Sequence, residues 1–173
     1  MPSKISRGIR NNNPGNLDRT GEKWQGMADD QSSDPRFIVF KSPQFGIRAM
    51  VRTLLTYHNT HGLKTTRQII NRWAPPRENN TEAYILSVSR ELGVEPDTEI
   101  DVDDCEVMLV LIRAIIRKEN QIPGEIWREP YSEAVLLDGM RMGGVSNAPA
   151  PRLRGKIAAL CTAGCGTVGT ALS

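Results

Sequence analysis

The sequence predicts an α+β domain, mainly α: a helical domain with a small β-hairpin lobe. Three observations lead to the helices and the hairpin. Four stretches after residue 42 carry apolar side chains at helical spacing. Two short segments near the N-terminus, 24–29 (WQGMAD) and 36–40 (RFIVF), can pair as a hairpin across a polar DQSSDP loop. Pro- and Gly-rich connectors separate the periodic stretches. A chain of 173 residues with 39% hydrophobic and 24% charged residues is long and apolar enough for one core without disulfides or metals. The expected organisation is one domain over 1–143, a linker over 144–156 and an apolar, small-residue tail over 157–173.

Residues 7–20 (RGIRNNNPGNLDRT) hold turn chemistry, because Asn and Gly tolerate left-handed backbone and Pro fixes φ. After the hairpin, Ser42 followed by Pro43 starts a helix that runs to about Asn59. Phe45, Ala49, Leu54 and Tyr57 lie near one of its faces. Gly62 breaks it, and Thr65 caps a short helix through Ile69, Ile70 and Trp73 that Pro75 and Pro76 end. Asn80 or Thr81 starts the next, burying Tyr84, Ile85, Val88 and Leu92, with Gly93 as its stop. Asp103 with Glu106 marks the start of CEVMLVLIRAIIRKEN. Its run Val107–Ile116 is apolar nearly all round, as expected of a central helix.

Charge gives no reason to expect nucleic acid. The net charge is +2, and Arg152, Arg154 and Lys156 lie in a tail without acids. Without those three, nineteen basic residues face twenty acidic ones, and no basic stripe is evident. Cys105, Cys161 and Cys165 form no disulfide framework, and His58 and His61 stand apart from any zinc-type spacing. No cofactor or metal is expected. The N-terminus lacks a long apolar run, so no secretory signal is expected. The uncharged tail IAALCTAGCGTVGTALS is 17 residues long, close to the roughly 20 that a membrane span needs, but rich in Gly and Thr. It reads either as a membrane-associated segment or as a flexible tail.

Glu119 is the foremost candidate for chemistry. A carboxylate where an apolar helix emerges from the core has the partly desolvated setting that a general acid needs. The plain alternative is a surface Glu beside Lys118. A second group lies in PPRENNTEAY: Glu78, with Asn80, Thr81 and Tyr84 able to bond sugar hydroxyls and stack on a ring. The alternative there is a helix cap after a turn. Asn12, Asn13 and Asn16 present amides from a tight loop, suited to an acetamido sugar or a peptide; the alternative is a turn-rich connector. Trp24 and Trp73 can stack on sugars or fill the core.

Together these pieces resemble the lysozyme-like superfamily, including lytic transglycosylases and bacterial glucosaminidases. NNPGNL (12–17), WQG (24–26) and RFIVFKS (36–42) are similar to the glucosaminidase pattern, and ENNTEAYI (78–85) to a stretch late in lytic transglycosylases. Segment 7–143 is also similar to phage virion and lysin proteins that open on such an RNNNPGN run. In that superfamily the catalytic Glu precedes the β-lobe; here no acid precedes Asn11, so the resemblance implies a circular permutation that brings Glu119 to the lobe. It further implies cleavage of the β-1,4 glycan backbone of peptidoglycan, with Glu119 as general acid. No second carboxylate stands out among Asp18, Glu22, Asp29, Asp30 and Glu78, which favours ring closure by the substrate's own 6-hydroxyl over hydrolysis. The implied protein is phage-encoded and acts on the host wall in the periplasm or from the virion. Two other readings stay open: an endopeptidase of the peptide cross-links, and a non-catalytic virion structural or wall-binding protein.

Overall fold

The structure, a computed structural model, describes residues 4–77, 80–145 and 147–148. Among these there are six helices: α1 (Arg7–Arg10), α2 (Pro43–Asn59), α3 (Thr66–Trp73), α4 (Thr81–Leu92), α5 (Cys105–Asn120) and α6 (Glu133–Gly143). Their ends follow local chemistry. Pro43 occupies the first turn of α2. Thr65 and Gln68 form a reciprocal capping box on α3. Asn80 accepts from Ala83 N at the start of α4, and Gly93 ends that helix in the left-handed region at φ 70°. The cap of α5 is Asp104, one residue beyond the expected Asp103, and it accepts from both Glu106 N and Val107 N.

The main core lies between α2, α3, α4, α5 and α6. From α2 it takes Ile47, Met50, Val51, Leu54 and Leu55, whose spacing draws one continuous face. From α5 it takes Met108, Leu111, Ile112, Ile115 and Ile116, while Val107, Leu109 and Val110 are only half-buried. The sequence reading did not anticipate α6. Its Gly139 and Gly143 lie against Ile47 and Val51 so closely that a Cβ on either would come within 2.6 Å of those side chains. The two helices thus cross at a small-residue seam. Val145 and Ala148 also pack into this core.

The expected β-hairpin lobe is absent, and the α+β fold class is corrected accordingly: the described residues contain no β-strand, only isolated bridges such as Asp18–Phe37 and Met27–Phe40. The reason lies in the partners that segment 36–40 finds. Its amides go in turn to the Asp34 carboxylate (Arg36 and Phe37), Leu17 O, Gln31 Oε1 and Asn11 O. Its carbonyls receive the side-chain amides of Asn13 at Ile38, Gln31 at Val39 and Asn12 at Phe40. Side chains and scattered backbone groups satisfy the segment, so no continuous ladder forms. Without that lobe the resemblance to the lysozyme-like superfamily fails as a statement of fold, and the circular permutation inferred from it falls too. Among the described residues no helix is long and apolar enough to cross a membrane, and the tail at 157–173 lies outside them.

At the centre of the irregular N-terminal lobe sits Asp34, 1% exposed. Arg7 Nε and Nη2 donate to its two oxygens at 2.6 Å, Asn11 Nδ2 at 2.7 Å, and the Arg36 and Phe37 amides at 2.9 and 2.8 Å. The Arg7 guanidinium, helped by these amides and opposed by burial, holds the carboxyl well below the usual aspartate range. A small second cluster of Ile38, Phe40 and Ala49 joins the lobe to α2.

Two outcomes follow from this packing. Asp34→Asn should lower unfolding stability by about 3 kcal/mol in urea titrations at neutral pH, because Arg7 loses its buried counter-charge. Since the folded carboxyl titrates below its unfolded counterpart, the wild-type contribution is complete above about pH 4 and declines as pH falls below that value. The gap between wild type and variant should therefore narrow in acid. Gly139→Val should destabilise by about 1–3 kcal/mol through overpacking against Ile47, read from the same titrations.

Candidate functional site

A groove of about 1060 Å³ runs between the N-terminal lobe and helices α2 and α3. Gly15, Asn16, Asp18, Trp24 and Phe37 line it from the lobe; Thr53, Thr56 and Tyr57 come from α2; Arg72, Trp73 and Pro75 from α3 and its exit; and Glu119 from the end of α5. Gly15 allows this closeness, since a Cβ there would meet Met50 Cγ at 2.8 Å and Trp73 Cζ2 at 2.9 Å. Trp73 is half-buried and meets the Tyr57 ring edge-on, with centroids 6.5 Å apart. The Arg72 guanidinium covers the Tyr57 ring at 5.1 Å. Burial pushes the Tyr57 phenol above its ordinary value, so it remains a neutral hydrogen-bonding group.

Glu119 is placed by its neighbour in sequence. Asn120, 5% exposed, ties the last turn of α5 to the lobe: its Nδ2 donates to Pro14 O at 2.8 Å and to Ile116 O at 2.9 Å, and its Oδ1 accepts from Ser6 Oγ at 2.7 Å. Glu119 then faces the groove, where its Oε1 accepts from Tyr84 Oη at 3.1 Å and its Oε2 from Asn16 Nδ2 at 3.2 Å. Burial first, and then the Glu119 charge and hydrogen bond, push the Tyr84 phenol well above its ordinary value, so it stays a donor. Asn16 holds a left-handed backbone at φ 49°, which aims its amide at Glu119.

The expected site residues divide between groove and scaffold. Glu119, Asn16 and Tyr84 come together, and Trp24 lines the same groove. Asn13 is fully buried, its amide donating to Leu17 O and Ile38 O, and Asn12 donates to Phe40 O; both are spent on the lobe. Asn80 caps α4, and the buried Thr81 hydroxyl donates to Ala74 O at 2.6 Å. Glu78 lies outside the described residues. Sequence reading missed Tyr57, Arg72 and Phe37 as groove residues. No local pattern marks these three, which reach the groove only through tertiary packing.

The glycosidase expectation does not survive. The β-lobe that carries lysozyme-type active sites is missing, as described above, and with it go the lytic transglycosylase assignment, the enzyme class and the lysozyme-like label. Nor do the described residues assemble a catalytic cluster in its place. Glu119 is engaged by Tyr84 and Asn16, Asp18 is bound by Arg36 at 2.6 Å, and no group of three or more His, Cys, Asp or Glu side chains is gathered closely enough to hold a metal ion.

No protein-family model matches the chain. It is, however, 39% identical over 144 residues to Protein P5 of Pseudoalteromonas phage PM2, a match spanning 82% of this chain and 84% of that protein. The chain is accordingly of phage-encoded origin and belongs to the family of Protein P5 of Pseudoalteromonas phage PM2.

Proposed function

We propose that the protein is a non-catalytic cell-wall-binding component of a phage, whose groove holds a glycan strand of bacterial peptidoglycan. The observation that carries this reading is the pairing of aromatic faces with fixed polar groups along one open groove. Trp24 and Trp73 offer apolar faces for sugar rings, the Phe37 and Tyr57 rings being covered by guanidinium groups, while Glu119 is held in place as a hydrogen-bond acceptor by Asn16 and Tyr84. Pockets for a single small ligand run to about 1,000 Å³. An open groove at that limit suits several linked rings better than one. Glu119 serves as a hydrogen-bond acceptor for sugar hydroxyl or acetamido N–H groups, oriented by Tyr84 and Asn16.

Sedimentation with insoluble purified peptidoglycan tests this reading, with mass analysis of the supernatant. The expected result is co-sedimentation with no release of soluble fragments. Protein left in the supernatant would refute wall binding, and released glycan or stem-peptide fragments would refute the non-catalytic assignment. Trp73→Ala should weaken binding by about tenfold, in line with the roughly 1–2 kcal/mol of an aromatic contact. Tyr84→Phe removes the donor to Glu119 Oε1 and should weaken binding a few-fold, at a stability cost of about 1 kcal/mol read from urea titration.

A further inference from the structure

Beyond Trp24 the groove continues into a second recess of about 600 Å³, which shares Glu22 and Trp24 with it and is lined further by Lys23, Gln25, Arg48 and Arg52. Arg48 and Arg52 stand four residues apart on α2, so they present their guanidinium groups along one face of that helix. Lys23 approaches from the lobe. Three cations therefore face a single carboxylate, Glu22. Among the described residues no ion pair engages Lys23, Arg48 or Arg52, whereas Arg36, Lys41, Arg67 and Arg113 each have acidic partners. Clustered cations left without counter-charges repel one another, and an anionic ligand relieves that repulsion. Guanidinium groups in particular match the planar, two-oxygen geometry of a carboxylate.

We propose that this recess binds the free carboxylates of the peptide stems that branch from the glycan strand, so that strand and stem are read together across Trp24. The proposal rests on the groove being a peptidoglycan-binding site. It explains why the cations adjoin the sugar-facing aromatics instead of being dispersed over the surface. Trp24 forms the divide: one side of its environment is the aromatic groove and the other is the cationic recess.

The test compares three soluble probes: glycan oligomers with intact stems, the same oligomers with stem carboxylates amidated, and oligomers stripped of stems. Wild-type protein should bind the intact probe at least tenfold more tightly than the other two, and the difference should shrink as salt rises. The double variant R48Q/R52Q should bind all three with the affinity that wild type shows for stripped oligomers. Lys23→Gln, which alters an exposed side chain, should move the same ratio part of the way and guards against a folding defect in the double variant. Equal wild-type affinity for intact and amidated probes overturns the stem-carboxylate proposal and leaves glycan binding standing. Absence of binding to all three overturns both.

Discussion

Asp34 accepts five hydrogen bonds from Arg7, Asn11, Arg36 and Phe37, and the N-terminal lobe is built around that one carboxylate. A lobe without a strand ladder has no repeating bond pattern to fix its chain path. A buried ion with all its acceptor directions filled supplies the missing specification, because any rearrangement would leave charge unpaired in a low-dielectric setting. Arg7 begins α1, Asn11 ends it, and Arg36 and Phe37 open the segment that closes over it. Each contact fixes a different piece of chain relative to the others. Of the two left-handed residues, Asn12 then ties the lobe together through Phe40 O and Asn16 reaches the groove.

Two further constraints carry this order to the helices. The α2–α6 seam, with Gly139 on Ile47 and Gly143 on Val51, brings the two axes close and holds α2 as the floor of the groove. At the opposite side the buried Asn120 amide reaches the carbonyl of Pro14, so the end of α5 is tied directly to the lobe. Gly46 completes the junction: a Cβ there would overlap the Asn12 carbonyl, and only glycine lets the first turn of α2 approach the lobe. The groove is therefore the boundary between two packed bodies joined at several points, and its shape is set by scaffold contacts rather than by the groove side chains themselves.

Helix starts and stops were legible because they depend on short-range chemistry. Pro43, the Thr65–Gln68 box, Asn80 and Gly93 act on backbone groups within four residues of themselves. The hairpin was misjudged for the opposite reason. Alternation in RFIVF says that one face is buried, and Ile38 and Phe40 are, but it cannot say which groups take the backbone hydrogen bonds. Here Asp34, Gln31 and the asparagines took them. Those asparagines also explain why the polar loop contributes only partly to the groove: three amides serve the lobe, and Asn16 alone reaches it. Glu119 and Tyr84 were each singled out for their own chemistry, whereas their meeting and the contribution of Arg72, Tyr57 and Phe37 depend on tertiary packing with no local trace. Helix α6 went unread because its apolar pattern is broken by the two glycines that make its packing possible.

The way segment 36–40 is satisfied has a consequence for crowding. An extended segment near a surface ordinarily offers a row of open amides and carbonyls on which a neighbouring molecule can template. In this lobe five successive amides are capped from within, by the Asp34 and Gln31 side chains and by the Asn11 and Leu17 carbonyls. Copies of the protein brought together at high local concentration thus meet without an edge along that segment on which to zip. Extended backbone can then border the groove without inviting self-association.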